Sequence, residues 1–168
     1  MVERVVVDVQ RALDEISSIE VPENKQIQQW AAAAIKASRN EESLEKNQNT
    51  QMTVRIVEEA EISQLNEDFR HKTGATNVLS FPFVLPPGIP ENESAQSLGD
   101  LVVCAAVVNK EAKEQLKKNS AHWAHIIIHG TLHLMGLDHQ NKKEAYDMES
   151  LEKNIMFELG FPDPYKEI

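Results

Sequence analysis

The sequence predicts a single compact domain built from both strands and helices, and three observations carry that expectation. Its 168 residues amount to one domain's worth, domains commonly running to roughly 100–200 residues. A content of 41% hydrophobic and 26% charged residues, with a mean hydropathy of −0.42, is that of a soluble globular chain. Strand-type runs also alternate with segments of helical period along the whole chain, with no internal repeat.

In chain order, Val5 to Val9 is a Val-rich run of strand type. After Pro22, Glu23 to Ser38 (ENKQIQQWAAAAIKAS) reads as a helix with alanines packed in its middle. Arg39 to Gln51 is polar apart from Leu44 and reads as a connector. Met52 to Val57 alternates apolar and polar residues as a half-buried strand, and Glu58 to Arg70 follows as a helix with Ile62, Leu65 and Phe69 on one face. Asn77 to Phe83 reads as a third strand, placed at a sheet edge by Pro82. Residues 83–97 hold Pro86, Pro87, Gly88 and Pro90 and read as a surface loop; their Asn92-Glu93-Ser94 fits a glycosylation sequon by chance. Leu98 to Val103 is a fourth strand, and the Lys-rich Asn109 to Asn119 behind it reads as helical. From Ser120 a helix apolar nearly all round runs to Gly136, as the buried centre of a domain would. A last helix opens on Asn141 and Glu144 in capping-box spacing, sets Ala145, Met148, Leu151, Ile155 and Leu159 on one stripe, and stops at Gly160.

Composition excludes several classes. The longest apolar run, Leu101 to Val108, is far short of the roughly 18 residues of a membrane span, so no membrane partner is expected. Glu3, Arg4 and Asp8 interrupt what would be a signal-peptide core, which leaves the cytoplasm as the expected address. With Cys104 as the only cysteine, any metal must be held by histidine or carboxylate; Cys104 itself reads as a small buried hydrophobe. A net charge of −10 argues against coating nucleic acid by bulk electrostatics. Between Asp100 and Lys143, however, six lysines stand against four acids, a mildly positive stretch on an acidic body.

Four of the six histidines, His122, His125, His129 and His133, recur at spacings of three, four and four and so share one narrow helical stripe. Histidines at i and i+4 lie about 6 Å apart along a helix axis, within reach of one cation. His129 and His133 have that spacing, and His139 follows just beyond the helix-ending Gly136, where the chain turns back. Three protein ligands with an open fourth position are the arrangement of a catalytic zinc, one ion per chain. A single such pair is an ordinary feature of helices; a third histidine around a helix-ending glycine is what moves the reading to a metal. The string HGTLHLMGLDH follows the zincin pattern except that Gly130 stands where the peptidase general base belongs. His125 is an alternative ligand, though a supporting contact suits it better, and Asp138 reads as an orienting neighbour or turn residue. His122 and His71 have weaker claims, and Ser80 and Asp100 are explained by strand or turn chemistry.

With these residues in hand, the sequence resembles the YbeY family of bacterial endoribonucleases, over roughly the last two-thirds of the chain. The strongest part is HGTLHLMGLDH with the preceding Ala124-His125. Leu65-Asn66 with Phe69-Arg70, Thr76 to Pro82, and Leu98-Gly99-Asp100 also match, as do Met148, Glu149, Glu152, Leu159-Gly160 and Pro164-Tyr165 at the end. Asn77 stands where the family has aspartate, and Cys104-Ala105-Ala106 departs from its usual run. The resemblance implies an α+β fold with a small mixed four-stranded sheet packed by about five helices, and a metal cleft beside a buried central helix. It implies one metallo-hydrolase domain over residues 1–168, with zinc at His129, His133 and His139. It also implies cleavage of single-stranded RNA in rRNA processing at the 3′ end of the small-subunit rRNA and in ribosome quality control, with small-subunit and ribosome-associated proteins as partners.

The family's arginine corresponds to Arg70, which alone reads as a surface arginine at a helix end; within the family it becomes the clamp on developing phosphate charge. Lys72, Lys113 and Lys117 are then candidates for following an RNA backbone, against the plainer reading of a solvated face. Two other classes remain open: a metal peptidase, which Gly130 opposes, and a non-enzymatic ribosome-assembly factor whose zinc serves stability alone.

Overall fold

A computed structural model of the chain describes residues 4–14, 19–39, 49–89 and 95–166. Strands β1 (Val5–Ala12), β2 (Asn49–Val57), β3 (Val78–Pro82) and β4 (Ala95–Cys104) form one sheet in the order β1-β2-β4-β3. β1, β2 and β4 run parallel, and β3 pairs antiparallel with β4 at the edge. Pro82 sits at the end of that edge strand, where its missing N–H costs no central ladder bond. Five helices surround the sheet among the described residues: α1 (Asn24–Ser38), α2 (Glu59–Arg70), α3 (Ala105–Glu114), α4 (Asn119–Leu134) and α5 (Lys142–Glu158). This is the expected α+β architecture.

Because β1, β2 and β4 are parallel, each must be reached by a crossover, and α1 and α2 supply them on opposite faces of the sheet. The larger core lies between the sheet and α1, α4 and α5, where Ile27, Trp30, Ile35, Val54, Leu101, Trp123, Ile127, Leu132 and Ile155 are buried together. Ala31 and Ala34 contribute small buried positions on α1, and Ala124 does so on α4. The opposite face carries a smaller cluster of Val57, Ile62, Leu79, Val102 and Cys104 beneath α2. At the β1 edge, the Gln28 side chain accepts from Val7 N and donates to Val5 O, so one amide stands in for a missing strand.

Four boundaries differ from the sequence expectation. β1 continues through the polar Gln10 and Arg11 to Ala12, because its ladder partner β2 continues. β2 begins at Asn49, inside the stretch read as a connector, and the rest of that stretch, residues 40–48, lies outside the described residues. β4 begins at Ala95, within the Pro-rich loop, and the sequon at Asn92 falls outside the described residues. The helix behind β4 starts at Ala105 and ends at Glu114: the apolar run Leu101 to Val108 conceals a strand-to-helix junction at Cys104, with no polar residue to mark it.

Two glycines are required by geometry. Gly99 has φ +129° beside a register shift between β2 and β4, and a Cβ there would lie 2.1 Å from the Phe81 carbonyl oxygen. At Gly130 in α4, a Cβ would meet Leu101 Cδ2 at 2.9 Å and Val78 Cγ2 at 3.3 Å, so the helix lies tight against the sheet beside His129.

Candidate functional site

Helix α4 is buried along most of its surface, and its half-buried line of His125, His129 and His133 faces a cleft of about 880 Å³. The helix ends as Gly136, at φ +97°, turns the chain, while Leu137 N–H returns to the Leu132 carbonyl. The Asp138 carboxylate accepts the His139 N–H at 2.7 Å, fixing the turn that brings His139 back. The His139 ring then lies 5.0 Å from that of His133 and 5.8 Å from that of His129. One nitrogen from each of these three histidines lies within 4.8 Å of the others.

The hydrogen bonds fix which nitrogens are available. His133 Nδ1 is 2.9 Å from the Leu137 carbonyl, which only accepts, so the proton is on Nδ1. His129 Nδ1 is bonded to a carboxylate oxygen of Glu152 and donates in the same way. Both Nε2 atoms are left as lone pairs, and they lie 3.1 Å apart. Two lone pairs repel at that separation, and a shared cation removes the repulsion: ligands about 2.0 Å from one tetrahedral ion sit about 3.3 Å from each other. The donor set therefore fits a divalent metal with a taste for imidazole nitrogen. Burial, then the neighbouring His129 and His139, push His133 below the usual imidazole range, which favours the neutral form a metal requires.

Glu152, on α5, is fully buried, and the sequence alone gives it no role at the site. Its carboxylate accepts from His129 Nδ1, from His125 Nε2 at 3.1 Å and from the Tyr165 hydroxyl. Burial pushes this carboxyl up, but the hydrogen bonds from His125, His129 and Tyr165 outweigh it and hold it at about 2. Burial and the adjoining carboxylate drive the Tyr165 phenol the other way, well above its ordinary range. A signal was present: Glu152 stands four residues after Met148 and three before Ile155, an acid inside the buried stripe of the last helix. His125 reaches the cluster through Glu152, and His125, His129 and Glu152 form a second close group. In that group the Glu152 carboxylate is already engaged by both imidazoles and by the Tyr165 hydroxyl, whereas His125 Nδ1 is buried without a hydrogen-bond partner.

The remaining candidates divide. Arg70, at the end of α2, lines the same cleft; its Nη2 donates to the Ser80 carbonyl at 2.7 Å and its guanidinium lies 5.6 Å from the Phe81 ring centre. Lys72 also lines the cleft and is exposed. Lys117 lines it too, but its Nζ donates to the Pro164 carbonyl at 2.6 Å. Lys113 lines a neighbouring groove with Ile19, Glu20 and Asn109, which shares Lys117 with the cleft but holds no histidine. Asp100 lines a different pocket, whereas Ser80 borders the cleft. His122 is buried against Glu111 at 3.0 Å, and His71 is the exposed left-handed cap of α2. Asn77 donates to Glu111 and accepts from Val78 N–H; an aspartate there would set two carboxylates against each other.

The peptidase alternative loses its geometry at Gly130. The Cβ direction at that position points at Leu101 and Val78 in the core, so a glutamate there would be buried against the sheet rather than presented beside His129.

The family model described as Endoribonuclease YbeY matches residues 12–160 of the chain. The chain belongs to the YbeY endoribonuclease family. Proteins named Endoribonuclease YbeY are 44% identical in Nitrosococcus oceani, over 98% of this chain and 99% of the relative, and 44% in Halorhodospira halophila, over 95% and 98%. One from Pseudomonas putida is 46% identical over 94% of this chain and 91% of its own. The likeness thus extends well into the first third of the chain, beyond the part where the motifs gather. A solution structure of a Thermotoga maritima protein shares the fold, with a TM-score of 0.51 at 21% identity, covering 96% of this chain and 99% of that one. Among the described residues, no helix is long and apolar enough to cross a membrane.

Proposed function

We propose that this YbeY-family chain is a single metallo-hydrolase domain over residues 1–168 that cuts single-stranded RNA in maturation of the small-subunit rRNA. It works in the cytoplasm among ribosomal components, with one zinc ion held by His129, His133 and His139. The observation that carries this is the pair of Nε2 lone pairs 3.1 Å apart, opening into a cleft that Arg70 also lines.

A zinc ion held by His129, His133 and His139 would supply Lewis acidity, easing deprotonation of water and drawing negative charge from a phosphoryl oxygen. The chain's own groups do the rest. Glu152 and the Leu137 carbonyl hold two imidazoles in the tautomer that leaves Nε2 free. Arg70 is restrained by one hydrogen bond and the Phe81 face, which leaves its other N–H donors for the oxygens of a phosphodiester as charge develops on them. Lys72 adds a positive charge at the cleft mouth, where it attracts an anionic strand despite the acidic body.

The test is a labelled single-stranded RNA and the same strand in a duplex, each incubated with chelator-stripped protein and with protein restored by zinc. Zinc-dependent cutting of the single strand alone is expected. Cutting that ignores the chelator would contradict the reading.

A further inference from the structure

We propose that Glu152 and Tyr165, neither of them a ligand, are positioning residues that set the metal affinity of the histidine site, so that α5 and the C-terminal segment are parts of the metal centre. This rests on the metal reading above and adds to it.

A metal-bound imidazole keeps its orientation and basicity when its second nitrogen donates to a carboxylate. Glu152 does this for His129 from a different helix. Its oxygens are divided: Oε1 takes His129, while Oε2 takes both His125 and the Tyr165 hydroxyl. The carboxylate is thus held from both sides and cannot rotate away from His129. Tyr165 is itself restrained, because the preceding Pro164 is buried and its carbonyl accepts from Lys117, which lines the same cleft. The neighbouring buried residues of α5, Met148, Ile155 and Met156, are apolar. A fully buried carboxylate among them carries a desolvation cost that packing alone does not call for. Its acceptor geometry toward His129 accounts for it.

The experiment uses the full chain as wild type, Glu152→Gln and Tyr165→Phe. Zinc affinity is measured by competition with a chromophoric chelator, the visible absorption of the cobalt(II) form is recorded, and the melting temperature of each metal-free protein is taken. Glu152→Gln should bind zinc about 10- to 100-fold more weakly, with a changed cobalt spectrum. Tyr165→Phe should lose roughly 2- to 10-fold, the equivalent of one hydrogen bond. Wild-type zinc affinity and an unchanged cobalt spectrum in the variants, whatever their melting temperatures, would overturn the proposal. Should Glu152→Gln not fold, Tyr165→Phe decides alone. A wild type that takes up no zinc would overturn the metal reading itself, a result distinct from variants that match a zinc-binding wild type.

Discussion

The Ser80 hydroxyl donates to the Gly130 carbonyl at 3.2 Å, while the Ser80 carbonyl accepts from Arg70. One residue of an edge strand therefore links the helix that carries the histidines to the arginine across the cleft. Ser80→Ala removes the first link and leaves the second, because the carbonyl belongs to the backbone. It should lower the unfolding free energy by about 0.5–1.5 kcal/mol, read from urea denaturation. An unchanged midpoint would mean that this bond contributes nothing to holding β3 against α4.

Arg70 is exposed and stands outside both apolar clusters. Arg70→Ala should therefore leave the melting temperature within about a degree or two, as surface changes do. Single-turnover RNA cleavage should fall by about 10²- to 10³-fold, as on loss of one donor to a developing oxyanion. Arg70→Lys, which keeps the charge but not the planar fork, should recover only part of the loss. Full activity in the alanine variant would remove Arg70 from the machinery.

Gly130 makes a structural prediction with a functional corollary. Gly130→Ala gains about 1 kcal/mol of helix propensity but forces Leu101 to move, an overpacking of about 1–3 kcal/mol, so a net loss of stability is expected. Gly130→Glu should be more destabilising still, because it adds an unpaired carboxylate to the core, and it should not create peptidase activity on a peptide library. A stable, peptide-cutting Gly130→Glu protein would contradict the placement of α4 on the sheet.

The lysines can be separated by salt dependence. Each phosphate contact contributes a slope of about −0.7 to a log–log plot of single-strand affinity against salt. Lys72→Gln should reduce the slope by about that amount, whereas Lys113→Gln, in its neighbouring groove, should leave it unchanged. Filter binding of a metal-stripped protein across a salt series reads both. Equal reductions would mean that the RNA path also runs over Lys113, and no reduction for Lys72 would place the path outside the cleft.

Much of the fold and the centre of the site were legible because periodicity reports burial. The i, i+4 spacing of His129 and His133 and the glycine after them locate three rings without coordinates. The C-terminal boundary of β4 was not legible, since an apolar run is compatible with strand and buried helix alike, and Cys104 marks the junction with no polar signal. Glu152 was hidden for another reason. Its function lies in contacts to His129, 23 residues earlier, and to Tyr165, 13 residues later, and sequence spacing along one helix does not report partners on another. Lys113 and Lys117 look equivalent in sequence and both border the groove beside Glu20 and Asn109; only Lys117, beyond the end of α3 at Glu114, also reaches the histidine cleft, where its Nζ donates to the Pro164 carbonyl.

The most direct test of the central claim compares zinc-loaded wild type with an identically purified His133→Ala variant on a labelled single-stranded RNA. The core beneath α4 does not depend on the half-buried His133, so the variant should fold, with a circular dichroism spectrum like the wild type's. Cutting by the wild type alone is the predicted result. Equal cutting by both proteins, or a variant that fails to fold while the wild type cuts nothing, would contradict a catalytic metal at His129, His133 and His139.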